Sequence, residues 1–315
     1  MTLLRSASKF AGIALLTALF AACSVSQETQ MAHAETPPEG AFVDLPQGRI
    51  HAIVRGQGPD LVMIHGANGN ARDFSFDLID RMAGEFRVIA FDRPGFGFSD
   101  DFGGVESPID QADILRAAAH RLDVENPIVL GHSYGGAVAL AWALRAPDDV
   151  AGLTLLAPVT HPWPGDLGLW YRITASPLGR YLILPTIAAL APRSAVQNTL
   201  ANVFAPDPVP DGYLDHLGFN LTMRRGQLSL NAQQVNSLID YVDAMHTGYP
   251  ALTMPIEIVH GTADKTVYIG IHSERMVQEV ESANLTTLDN VGHMPHHAHP
   301  DIVAEAIRRT RDRAP

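Results

Sequence analysis

Gly131, His132, Ser133, Tyr134 and Gly135 set a serine between two glycines, straight after the apolar run "PIVLGH" and straight before the small-residue stretch "YGGAVALAWALRAP". This is the pattern G-x-S-x-G at a strand-to-helix corner, where a sharp turn exposes the hydroxyl and glycines remove Cβ atoms that would collide. The hydroxyl then lies at a helix N-terminus, whose outward N–H groups favour negative charge. Alone it is a poor nucleophile: it needs a base, and the base needs an acid that holds its tautomer. The late chain offers both. Asp264 follows the apolar run "PIEIVHG", and His293 follows "NLTTLDNVG", with Gly292 permitting the turn that aims it. Together the three predict nucleophilic catalysis, with Ser133 attacking, His293 carrying the proton and Asp264 orienting His293.

The elements that must bring these residues together are read from apolar periodicity. Strands are expected at "AFVDL", "RIHAIVRG", "DLVMIHG", "RVIAFD", "PIVLGH", "VAGLTLLAP", "MPIEIVHG" and "NLTTLD". Helices are expected at "RDFSFDLIDRMAGEF", at "SPIDQADILRAAAHRLDV" with Ser107 as its N-cap, after Ser133, around "YIGIHSERMVQEV" and at "HPDIVAEAIRRTRDR". Such alternation predicts an α/β fold: a mostly parallel sheet with helices on both faces. It breaks over 158–250, a Pro-rich and aromatic stretch too long for a connection inside a compact domain. The core is therefore expected over 41–157 and 251–315, with 158–250 forming a mostly helical cap.

The chain order Ser, Asp, His resembles that of the α/β-hydrolases. "IHGANGN", with His65 and Gly66, is similar to that family's loop after the third strand. "FDRPGFGFSD" is similar to its loop after the fourth. The resemblance runs from about residue 41 to the end and is weakest in the insertion. It implies an eight-stranded-type sheet, the triad Ser133, Asp264 and His293, and an oxyanion hole made by the backbone N–H groups of Ala67 and Tyr134. Family members that open epoxides or displace halide carry aspartate at the elbow, so a serine there implies acyl transfer. The expected activity is hydrolysis of small to medium apolar carboxylic esters through an acyl-enzyme, without cofactor. The same triad on amides, lactones, C–C bonds of dienoic acids or in perhydrolysis is the alternative, and a non-catalytic binding protein on this fold a remote one.

Rival residues are weighed beside these. His296, His297 and His299 crowd His293, but with no carboxylate among them in sequence, no metal site is expected. His132 reads as a packed neighbour, Asp92 as part of a structural loop, and Asp289 as too near His293 in sequence to swing back. Trp163, Trp170 and Tyr171 read as insertion core more than as substrate contacts.

Charge narrows the partners. With 22 basic and 34 acidic residues the net charge is −12, which offers no stripe for nucleic acid. A single cysteine, Cys23, excludes an internal disulfide. Residues 1–22 carry Arg5, Lys9 and an apolar run of about 13 residues, the pattern of an export signal and too short to span a bilayer. Ala21, Ala22 and Cys23 resemble the lipobox of bacterial lipoproteins, with Phe20 as a departure; cleavage after "AHA" at 32–34 is the plainer alternative. An exported, membrane-anchored protein lipidated at Cys23 is expected, with a soluble periplasmic or secreted form as alternative. Residues 23–40 read as a flexible tether.

Overall fold

The computed structural model describes residues 28–165 and 169–315. The expected export signal and Cys23 lie outside them. Eight strands form one sheet: β1 (Ala41–Leu45), β2 (Gly48–Arg55), β3 (Asp60–Ile64), β4 (Arg87–Phe91), β5 (Ile128–His132), β6 (Gly152–Leu156), β7 (Ile256–Gly261) and β8 (Ala283–Leu288), in the order β1-β2-β4-β3-β5-β6-β7-β8. β2 runs antiparallel to both its neighbours, and from β4 to β8 every pairing is parallel. The chain steps from β3 outward to β4 and then returns to lay β5 on β3's other side. That reversal opens a crevice at the strands' carboxyl ends, where sheets of this kind bind ligands.

Period-2 alternation sends each strand's side chains to two separate cores. Val62, Ile64, Ile89 and Phe91 face one side, with α4 (Pro108–Arg121) and α5 (Tyr134–Arg145). Leu61, Met63, Val88 and Ala90 face the other, with α2 (Arg72–Ser75), α3 (Leu78–Met82) and α14 (Pro300–Arg313). Both faces are covered, so the parallel strands can be apolar throughout. Ala137, Ala139 and Ala141 are buried in α5; with no side chain beyond Cβ they let the helix lie close to the sheet. Ser107 caps α4 as expected, accepting from Asp110 N at 3.0 Å. The helix anticipated over "RDFSFDLIDRMAGEF" is instead two short ones, α2 and α3.

Between β6 and β7 lies the helical insertion: α6 (Leu169–Ala175), α7 (Leu184–Leu190), α8 (Arg193–Phe204), α9 (Tyr213–Leu217), α10 (Phe219–Thr222) and the long α11 (Arg225–His246). Leu238, Val242 and Met245 of α11 join the core on the α5 side. The expectation of a flexible tether over 23–40 needs correcting in its second half. Residues 28–35 are helical (α1), Ala32 is buried, and Glu28 pairs with Arg225 at 2.8 Å. Glutamates and two alanines, Ala32 and Ala34, favour helix locally in this polar stretch, and α11 supplies the cation.

Asp92, one residue past β4, ties its own loop to β2 and to the segment after β3. Its carboxylate accepts from Ala71 N at 2.6 Å, Phe98 N at 2.8 Å and His51 Nδ1 at 2.8 Å, fully buried. Burial opposes its ionised form, but the hydrogen bond and charge interaction with His51, together with the Ala71 N–H bond and other contributions, outweigh that and hold the carboxyl below its ordinary range. Asp92→Ala strips one side of a buried charged network and leaves two N–H groups unmet. It is expected to cost about 3–5 kcal/mol, read as a lowered urea midpoint with an unchanged m-value.

Candidate active site

Ser133 ends β5 and caps α5 with φ +54° and ψ −116°, a conformation that costs a non-glycine residue of the order of 1–3 kcal/mol. Three backbone bonds hold it there: Ser133 N donates to Leu156 O at 2.9 Å, and Gly136 N and Val159 N donate to Ser133 O at 3.0 and 3.1 Å. The flanking glycines are needed for space. A Cβ at Gly131 would stand 2.3 Å from Gly135 O, and one at Gly135 would stand 2.1 Å from Ile64 O. Helix and sheet meet too closely at this corner for any side chain.

β7 ends at Gly261, and Asp264 lies in the loop beyond, its carboxylate buried. Asp264 Oδ2 lies 2.6 Å from His293 Nδ1 and 3.0 Å from His260 Nε2, while Oδ1 accepts from Thr266 N and Val267 N at 2.8 and 3.0 Å. Burial works against the ionised carboxylate, but the bonds from His260 and His293 prevail and keep its pKa well down. A carboxylate can only accept, so Nδ1 of His293 is the protonated donor to Asp264 and Nε2 is turned away from that bond. His132 Nε2 donates to His293 O at 3.0 Å, and the two rings stand 5.0 Å apart. This joins the loop of His293 to the residue beside Ser133. The insertion braces the same loop: Gly292 N donates to Asp207 Oδ2 at 3.0 Å, and a Cβ there would meet Ala205 O at 2.4 Å. His260, four residues before Asp264, went unnoticed in sequence because a histidine inside an apolar strand gives no sign of its partner.

The loop after β3 is set by Arg93, a fully buried guanidinium. Its Nε donates to His65 O at 3.1 Å, Nη2 to Gly66 O at 3.0 Å, and Nη1 to Gln111 Oε1 and Gln234 Oε1 at 2.7 and 2.8 Å. The rings of Phe96 and Tyr134 lie 4.3 and 4.4 Å from it. Burial brings its pKa down to about 10. Ala67, next in this loop, lines the same cavity as Ser133 and Tyr134. As the first residue of α5, Tyr134 has an N–H with no acceptor inside its own helix.

That cavity, of about 380 Å³, is walled by Val159, Val235, Leu238, Val267, Ile271 and His272 among others. Trp163 and Tyr171 line it too, so they face the ligand space rather than forming insertion core alone. The side chain of Trp170 is outside the described residues. The wall from Lys265 to Tyr268 comes from the loop carrying Asp264, a contribution that no sequence pattern announced.

The histidines behind the elbow also correct the sequence reading. A carboxylate does sit among them: Asp73 of α2 accepts from Tyr213 OH at 2.7 Å and lies 2.8 and 3.2 Å from Nε2 of His297 and His296. The donor atoms of Asp73, His296 and His297 all fall within 4.8 Å of one another, and those of His161, His246 and Glu279 do likewise. Either group has donors suited to a divalent cation. In the first, Asp73 already has three donors aimed at it, so a hydrogen-bonded network accounts for the contacts.

Two histidines near the cavity are held neutral by backbone donors. His65 Nε2 accepts from Arg93 N at 3.0 Å, and His272 Nδ1 accepts from Thr160 N and His161 N at 3.2 Å each. Burial, then the charge interaction with a neighbour (Arg93 for His65, His260 for His272), brings each pKa down to about 3. The unfolded chain takes up these protons near pH 6.5 and the folded chain does not. Their stabilising effect is thus complete above pH 6.5 and is lost as pH falls toward 3. Urea midpoints are expected to drop across that range, and His65→Gln to flatten the profile by up to about 1.4 kcal/mol per pH unit.

Comparison with known proteins agrees with the fold. Haloalkane dehalogenase 2 of Mycobacterium tuberculosis is 26% identical over 287 residues, covering 86% of this chain and 94% of that one. The pimeloyl-[acyl-carrier protein] methyl ester esterase of a Shewanella species is 36% identical over 124 residues, 37% of this chain and 44% of that one. Among solved structures, an esterase from Exiguobacterium antarcticum superposes with a TM-score of 0.69 at 20% identity, covering 86% of this chain and 99% of its own. An α/β-hydrolase fold protein from Burkholderia ambifaria gives 0.71 at 22%, covering 85% and 97%. Residues 61–306 match the family model described as the alpha/beta hydrolase family, and with the eight-stranded sheet in place the chain belongs to that family.

Proposed function

We propose that the protein is a serine hydrolase of carboxylic esters, taking small to medium apolar substrates through an acyl-enzyme. The observation that carries this reading is a strained elbow serine on the wall of a mainly apolar cavity, with the residue before it bonded to the loop of a histidine whose Nδ1–H is engaged by a buried carboxylate. The serine elbow sets the chain apart from the halide displacement in its dehalogenase relative's name, because a carboxylate nucleophile is absent at that position. The esterase among the relatives fits the same reading.

In the proposed reaction Ser133 Oγ attacks the ester carbonyl as His293 Nε2 takes its proton. Asp264 stabilises the imidazolium and keeps the ring oriented. Negative charge building on the carbonyl oxygen meets the N–H groups of Ala67 and Tyr134, each such donor being worth roughly 3–4 kcal/mol. His293 returns the proton to the departing alcohol, and water, activated by the same ring, releases the acid. The cavity of about 380 Å³ suits acyl and alcohol groups of modest size. We further propose that the chain is exported and lipid-attached through Cys23.

An alkyl fluorophosphonate is expected to label one serine. Ser133→Ala should abolish labelling and lower kcat/KM on an aryl ester by about 10⁴-fold or more. Asp264→Asn, which gives His293 the wrong tautomer, should cost on the order of 10⁴-fold in kcat with the fold intact by circular dichroism. Labelling that persists in Ser133→Ala, or amides turned over as fast as matched esters, would overturn the proposal.

A further inference from the structure

The insertion carries an apolar face that the ester-hydrolase reading leaves unused. Among the described residues nine large hydrophobics are exposed, and five of them fall within 169–190: Leu169, Leu178, Tyr181, Leu182 and Leu190, between 60% and 76% exposed. They lie on α6, on α7 and on the turn joining them, elements that pack on α11. Charge is skewed in the same place. From 167 to 206 the chain has Arg172, Arg180 and Arg193 and no acidic residue, within a protein of net charge −12. Leucines and a tyrosine among arginines, without acids, make the composition of a segment that lies in the interface of an anionic bilayer.

The contacts of Glu28, five residues after Cys23, say what covers this face. Glu28 is bonded to Arg225 and, with Pro185, Ala188 and Ala189 of α7, lines a groove of about 360 Å³. Cys23 is five residues earlier, so at full extension it lies within about 18 Å of Glu28. Acyl chains on that cysteine enter the bilayer next to α7. Tyr171 of α6 lines the cavity that holds Ser133, so the exposed face and the ligand space share a wall.

We infer that this face of the insertion docks on an anionic lipid surface and admits apolar substrate from the lipid to Ser133. The inference rests on lipid attachment at Cys23 and on the ester-hydrolase reading, and its test separates the three.

The full chain is reconstituted in vesicles of phosphatidylglycerol and phosphatidylcholine, with an environment-sensitive fluorophore on Leu182→Cys or, as a control on β1, on Asp44→Cys. The wild-type chain reports any labelling of Cys23. Doxyl groups within the bilayer are expected to quench position 182 at least about threefold more than position 44. With Leu178→Glu, Leu182→Glu and Leu190→Glu combined, hydrolysis of a long-chain ester dissolved in the vesicles should fall about tenfold, while a water-soluble short ester changes less than about twofold. Equal quenching at the two positions, or equal loss on the two esters, would overturn the inference. So would self-quenching between labelled chains in detergent, which assigns the face to a second copy, or a probe at 182 shielded from lipid by residues 10–22. Wild-type protein that cleaves neither ester refutes the hydrolase reading, while the quenching comparison still decides the docking. A mass showing Cys23 free of acyl groups refutes the anchor alone.

Discussion

A guanidinium buried without a carboxylate partner among the described residues sets the terms for the site. Desolvating an unpaired charge is expensive, and Arg93 is tolerated because four oxygens and two ring faces converge on it. Those acceptors come from far apart: the loop after β3, α4, and α11 of the insertion. Each must stay in register or leave the charge exposed to an apolar interior. The loop carrying Ala67 and the helix that opens at Tyr134 are thereby fixed relative to one another before any substrate arrives. Preorganised donors of this kind spend nothing on reorientation during reaction, which is where electrostatic stabilisation gains most.

Much of this was legible in the chain. Short apolar runs bounded by turn residues marked the strands, and a serine between glycines at a strand-to-helix junction marked the corner, because few backbones require so many missing Cβ atoms in so short a space. Aspartate and histidine, each just after a strand, had to emerge at one edge of a parallel sheet. Contacts that depend on two distant segments were not legible. Asp73 reaches His297 across 224 residues, and nothing near either position signals the other. The ordered residues 28–35 were missed for the same reason: Glu28 finds its partner, Arg225, across 197 residues. Trp163 and Tyr171 looked like core because aromatic residues usually are, whereas here the core they border has a hollow.

Histidine is used here in several distinct ways. His293 has its Nδ1–H engaged by Asp264, which fixes the orientation of the ring. His65 and His272 accept backbone N–H bonds and are locked neutral, and His132 donates to the backbone of His293. In each ring the protonation state is dictated by which neighbour can only donate and which can only accept. His65 and His272 are buried where only the uncharged ring is accommodated, so the packing around the site makes the fold sensitive to acid.

The insertion between β6 and β7 has a bearing on synthesis. β6 and β7 pair directly, yet about a hundred residues separate Leu153 from its partner Ile256, and closing so long a loop is among the slower steps a chain takes. Ser133 lies before that gap, and Asp264 and His293 lie after it. A nascent chain therefore shows the proposed nucleophile long before the residues proposed to activate it. In the proposed reaction only a molecule whose segment after the insertion has docked can cut an ester, so the order of the segments would keep half-made copies inert.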